Sequence, residues 1–259
     1  SDATTAGNNG DYIVYAVSTV AGDTYVHCLD ASTGVTAAFT GEVAGASTLI
    51  QGKTIRNGVT PTSYTIEKEF SDVSSFAQYA GMRATTMALN FESQAILTGT
   101  IGFSGKSQVT ASATLASATT AGSTNEVMNA SGNVARVWEG SNAISGVSFQ
   151  SITLDLNNNP RDQAKVGSDA LAGVGTGRCE VTGTLTAYFE NNALIDKFTG
   201  GTKSSFRFQI EDNSGNAYIV TIPRTTYTDF TIVATGPNND VVQEGSWGAS
   251  INVGGTHAI

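Results

Sequence analysis

The side chains able to do chemistry are few and scattered. His27 stands inside a strand-like run and His257 stands third from the end. A general base needs a partner within hydrogen-bond reach, and neither neighbourhood supplies one. The serines come without a GxSxG turn, so they point to no acyl-transfer chemistry. Zinc would call for HExxH or paired CxxC spacing; Cys28 and Cys179 are instead far apart and read as two unpaired structural thiols, with Cys179 in the apolar phase of a strand. Asp155 and Asp162 in DLNNNPRD miss the spacing of a calcium loop and read as loop caps. GFSGKS at 102–107 ends in a GK pair but lacks the spacing of a phosphate loop, and reads as a turn. Trp138 and Trp247 are each suited to stack on a sugar or to anchor an interface or core. These spacings assign no catalytic residue, no metal ligand, no cofactor-binding residue and no cofactor.

Composition points the same way. The chain has 259 residues, enough for one large β domain or two smaller units. Its polar character comes from Thr, Ser, Asn and Gly more than from charge. Thirteen basic against twenty-two acidic residues give a formal charge of −9, and no basic patch interrupts it, which argues against adhesion to nucleic acid or an anionic membrane. No apolar run approaches the length of a membrane span. The polar start SDATTAGNNGD reads as an arm or a processed end.

The elements that would hold these residues are mostly strands. YIVYAVSTV at 12–20 and TYVHCLDA at 24–31 flank the turn signal AGD, and a Gly-rich loop follows at 41–58. SYTIEKEF reads as a half-buried strand with Tyr64 and Ile66 inward. SDVSSFAQYAG at 71–81 predicts a short helix, capped by Asp72, presenting Phe76 and Tyr79, and ended by Gly81. MALNF and AILTGTIGF predict a hairpin around NFES, with Ala95, Leu97, Gly99, Ile101 and Phe103 on one face. Residues 107–143 are poor in apolar groups and read as a long loop. In VSFQSITLDL, Val147 and Phe149 are out of phase with Ile152, Leu154 and Leu156, which predicts one bulge.

CEVTGTLTAYFE alternates cleanly, with Cys179, Val181, Gly183, Leu185, Ala187 and Phe189 on one face. Asn191 or Asn192 caps a brief helix on which Leu194 and Phe198 share a face, and Gly200–Gly201 ends it. SSFRFQIE and NAYIVTI form a hairpin across DNSGN, Pro223 stops the second strand, and TDFTIVA and VVQEGSWGASINV add further strands. The fold class is mainly β: an antiparallel barrel or sandwich with one or two short flanking helices. The division runs 1–59, a strand-containing region with its arm, and 60–259, a β domain carrying the loop at 107–143.

The succession SYTIEKEFSDVSSFAQYAGMRATTMALNF, LTGTIGFSGK and VTGTLTAYFENNALIDKFTGGTKSSFRFQIEDNSGNAYIVTIPRTTYTDF resembles the major tail tube proteins of long-tailed, non-contractile bacteriophages. The likeness covers roughly residues 60–250 and is strongest at Tyr188–Phe198, at Phe206–Pro223 and at Asp229–Phe230. It implies a non-enzymatic structural subunit of the virion tail, made in the host cytoplasm. It also implies a homohexamer whose rings stack around a channel for DNA ejection, with the strands around Ile101 and Leu185 in the inner sheets and the 107–143 loop reaching a neighbour. The partners it implies are the tape measure, tail terminator and distal tail proteins, with DNA passing unbound. A rival reading is a secreted or surface β-sandwich module that binds carbohydrate or another cell-surface ligand, with an exposed tryptophan as a functional residue.

Overall fold

The structure, a computed structural model, describes residues 12–20, 23–30, 57–58, 60–124, 127–128, 134–139, 142–143, 147–211, 217–251 and 258. The Gly-rich stretch at 41–56, the polar start and the DNSGN turn lie outside them. Strands β1 (Tyr12–Val20) and β2 (Asp23–Asp30) pair antiparallel as a sheet of their own. The remaining strands are built mainly into one large antiparallel sheet curled into a half-barrel, with one short helix.

That sheet is organised by β4 (Ser75–Glu92), an 18-residue strand. Its first part lies between β3 (Tyr64–Phe70) and β6 (Ser107–Ala111), forming a three-stranded leaf. Its second part pairs with β5 (Thr98–Ser104) and β9 (Phe149–Asn157). From β9 the order continues through β12 (Glu180–Tyr188), β15 (Val242–Ala249), β14 (Ala217–Val233), β13 (Ser204–Glu211), β7 (Val134–Glu139) and β8 (Asn142–Ala143). A small hairpin of β10 (Arg161–Gln163) and β11 (Gly173–Gly175) stands apart.

Four sequence expectations are corrected. Residues 71–81 form no helix: 71–74 are a turn, with Ser74 at φ 49°, and 75–81 belong to β4. Phe76 and Tyr79 fall on opposite faces of the leaf, because two flanking strands satisfy this backbone and outweigh the local periodicity. Gly81 does adopt the left-handed conformation, φ 66°, but as a bend between leaf and half-barrel. Secondly, 107–143 is no continuous loop, since β6 and β7 with β8 occupy its ends. Thirdly, β14 runs through Pro223. The proline sits where the β13 ladder slips between Phe206–Ile222 and Ser204–Thr225, a place that needs no donor from residue 223. Tyr64, expected inward, is 53% exposed because β3 is an edge strand of the leaf.

Other expectations hold. The bulge in β9 falls at Gln150, where Ser151 opposes Thr186 but Phe149 opposes Ala187. The extra residue returns Val147 and Phe149 to the core beside Ile152 and Leu154. Along β12, Val181, Leu185 and Ala187 are buried in alternation with outward side chains. Helix α1 (Ala193–Thr199) follows, with the Asn191 side chain accepting from the Ala193 amide at 3.0 Å and Gly201 at φ 59° after its end. Its Leu194 is buried, and Phe198 lies 6.4 Å from the Phe230 ring. Lys197 pairs with Glu139 of β7, tying helix to sheet. The core between the curled layers is aromatic: Trp247 stacks on Phe206 at 6.2 Å, and Phe208 meets Phe91 edge-on at 4.6 Å.

The glycine shared by LTGTI and VTGTL has one physical use. Gly183 lies opposite Trp247 and Gly99 opposite Leu89 in adjacent strands, and each large side chain lies over the bare Cα. A Cβ at Gly183 would come within 2.2 Å of the indole and 2.1 Å of the Thr153 carbonyl oxygen.

Candidate functional site

The pleat that sends the apolar residues inward sends another set out, and the strand order collects that set into rows. One row crosses six strands as Thr98, Asn90, Thr153, Thr184, Ser246 and Asp229. The next runs Thr100, Ala88, Asp155, Thr182, Gly248 and Thr226. A third runs Glu92, Ser151, Thr186, Glu244 and Thr231, and Asn157 with Glu180 begins a fourth.

Every charged side chain in these rows is a carboxylate: Glu92, Asp155, Glu180, Asp229 and Glu244, all exposed. No lysine or arginine interrupts them. Between the carboxylates lie short hydroxyl and amide groups, some held flat against the sheet; the Thr153 and Thr184 hydroxyls are 2.8 Å apart, and the Thr184 amide donates to Thr153 Oγ1 at 3.0 Å. A shallow depression of about 260 Å³ opens among Asp155, Thr182, Thr184, Thr228 and Ser246. It is broad and edged by short polar groups, with no cation to grip an anion. The face is therefore shallow, polar and negative.

The residues first considered for chemistry do not converge. His27 lies on β2, its side chain outside the described residues, as are His257 and the side chains of Cys28 and Trp138. Cys179 is a free, half-buried thiol whose pKa is pushed up by burial and then by Glu180, which disfavours the reactive thiolate. Trp247 is 1% exposed, so it is a core anchor and offers no sugar platform. Lys106 sits in the link between β5 and β6, its amide donating to the Ala80 carbonyl at 3.0 Å. Asp162 accepts from the Ser104 hydroxyl at 3.2 Å, and Asp155 belongs to the carboxylate face. Among the described residues no group of three His, Cys, Asp or Glu side chains is placed to hold a metal ion.

The most unusual buried polar group is Tyr227. Burial, reinforced by the neighbouring Glu139 carboxylate, pushes its phenol pKa far above the ordinary value, so it stays neutral. It lies in the core and reaches no open surface.

The alternation in VTGTL exposed Glu180, Thr182, Thr184 and Thr186 to sequence reasoning. What it could not supply was the strand order that sets Asp155, Glu244 and Asp229 beside them.

Comparison with known proteins adds one match. A family model described as phage tail tube protein matches residues 2–255. No curated protein matches the chain.

Proposed function

This chain belongs to the phage tail tube protein family, and from that premise we propose that its copies close into hexameric rings stacked around a channel that conducts DNA into the host. The chain is a structural component of the viral tail tube. The reading adds the ring, the channel and the passage of DNA, in a tail of the non-contractile kind.

The observation that carries the reading is the face of threonines and carboxylates. DNA must traverse a tube without staying in it, and each strong contact made during transit would have to be broken again. A wall presenting Glu92, Asp155, Glu180, Asp229 and Glu244 repels phosphate, while its short hydroxyls hold water without forming a fitted site. In this reading that face lines the bore, and the apolar layer with α1 lies behind it. The stretch between β6 and β7, rich in Ser, Thr and Ala, is the segment that reaches a neighbouring copy. Tape measure and terminator proteins meet the assembled tube, not the isolated chain.

Electron microscopy of the concentrated protein tests this reading. Six-membered rings or tubes with the carboxylate face inward are the expected result. Persistent monomers, or a bore lined by lysine and arginine, would refute it.

A further inference from the structure

Only two asparagines in the chain, Asn9 and Asn57, are followed directly by glycine. Asn9 lies outside the described residues, but Asn57 has a definite setting. With Gly58 it precedes β3 and belongs to no helix or strand. Its side chain is half-buried, and Oδ1 accepts from the Ala258 backbone amide at 2.8 Å. Ala258 itself is buried and belongs to the main apolar core. One carboxamide thus ties a core residue to a segment 201 positions earlier. Gly58 is exposed, and a Cβ added to it would meet nothing within 4 Å.

An asparagine followed by glycine carries its own nucleophile. The Gly58 amide nitrogen is the atom that closes a five-membered ring on Asn57 Cγ, and glycine, lacking a Cβ, leaves that approach open. As the N–Cγ bond forms, negative charge develops on Oδ1; the Cγ–Nδ2 bond then breaks, and the proton lost by the glycine amide leaves with Nδ2 as ammonia. Water opens the ring at either carbonyl, so that amide and water have become acid and ammonia. Opening at Cγ gives aspartate. Opening at the backbone carbonyl gives isoaspartate, in which the main chain runs through Cγ. The Ala258 N–H donates to the very oxygen on which the charge develops, and it stabilises that charge more than the neutral carbonyl before it. The same bond restrains the carboxamide, but Gly58, exposed and unobstructed, supplies the motion that ring closure needs.

We infer that Asn57 is a site of spontaneous self-modification: Gly58 cyclises onto its carboxamide, the Ala258 amide promotes the step, and the isoaspartate product releases Ala258 from its tie. The aspartate product keeps an acceptor oxygen at the same reach and still holds that amide. Isoaspartate lengthens the main chain by one carbon and moves the carboxylate onto Cα, which withdraws the acceptor. Loss of ammonia makes the change one-way, so it accumulates with the age of the molecule at a point where two distant segments meet. This site is independent of how the copies assemble.

Incubation of the folded protein at mildly alkaline pH tests it. Cleavage after lysine then releases Asn57 within the peptide Thr54–Lys68. Mass spectrometry should show amide-to-acid conversion that grows with time and with pH, in two chromatographic forms, one of them a substrate of isoaspartyl methyltransferase. Gly58→Ala, whose methyl group meets open space, should slow conversion at Asn57 by about tenfold and leave Asn9 unchanged. Ala258→Pro, which removes the donor, should slow it by about tenfold as well. In isoaspartate-containing molecules the Ala258 amide should exchange with deuterium faster than in fresh protein, whereas in Asn57→Asp it should exchange as in wild type. Circular dichroism checks that the variants fold. If Ala258→Pro does not fold, the exchange measurement decides the tie by itself. An Asn57 that stays intact, a rate that Gly58→Ala or a folded Ala258→Pro leaves undiminished, or isoaspartate that leaves Ala258 exchange unchanged would overturn the inference.

Discussion

At the scale of single residues, Glu67 shows how much one carboxylate can organise. Its oxygens accept from the Gln78 side chain and the Leu115 amide, each at 2.9 Å, and from the Thr114 hydroxyl. The chain leaving β6 is thereby held against the leaf. Those bonds, led by the Thr114 hydroxyl, hold the Glu67 carboxyl below its ordinary value of 4.5. A depressed carboxylate pKa means that the contacts persist above that value and are lost as pH falls through the lowered one. The Leu115 amide resonance of the unassembled protein should therefore titrate with a midpoint under 4.5 and stop responding in Glu67→Ala. A midpoint at or above 4.5 would contradict the assignment. Gly183 is the steric counterpart: Gly183→Ala should cost about 3 kcal/mol in denaturant titration, because neither the Thr153 carbonyl nor the Trp247 ring can give way. The sequence marked this glycine by its place in VTGTL, but the reason for it is a tryptophan distant in the chain and adjacent only once β12 and β15 pair.

At the scale of elements, what could be read from the sequence depended on how local the determining contacts were. The alternation of β12, the bulge in β9 and the Asn191 and Gly201 that bracket α1 are written in neighbouring residues, and the structure reproduces them. The helix expected at 71–81 failed because the spacing of Phe76 and Tyr79 fits a helix, while the pairing that makes them strand comes from β3 and from β6, which lies some thirty residues onward. The same distance effect hid the continuity of β14 through Pro223. The helix that is present should be energetically significant. Leu194 is 1% exposed, and Leu194→Ala should cost about 3 kcal/mol; Phe198, half-buried beside Phe230, should cost about 2 kcal/mol on replacement by alanine. An unfolding midpoint that Leu194→Ala leaves unmoved would show that the helix does not close this part of the core.

At the scale of the whole molecule, the carboxylate rows act only on what comes close. Screening at physiological salt extends about 8 Å, so charge on other surfaces would be little felt by a duplex passing along this face. Assembled wild-type protein should bind duplex DNA negligibly at physiological ionic strength. Replacing Asp155 and Glu244 by lysine should create DNA binding that weakens steeply as salt rises, measurable by fluorescence anisotropy. Retention of DNA by the wild type would contradict a repulsive wall. None of this charge pattern was visible as a motif. Net charge and the absence of a basic patch set its sign, and the strand order assembled it.

The long strand β4 also has a mechanical meaning. It is a single covalent beam shared by the leaf and the half-barrel, and both portions are stiffened laterally by hydrogen-bonded neighbours. The lateral neighbours of β4 change around Gly81, whose φ is 66° and whose bare Cα lies against the aliphatic stem of Lys106, so the beam is expected to bend most easily there. A sideways force on the leaf is therefore delivered as torque to this joint before it deforms the aromatic core. The leaf behaves as a cantilever with its compliance gathered at the root, so an array of such chains can flex by many small rotations while each half-barrel keeps its shape.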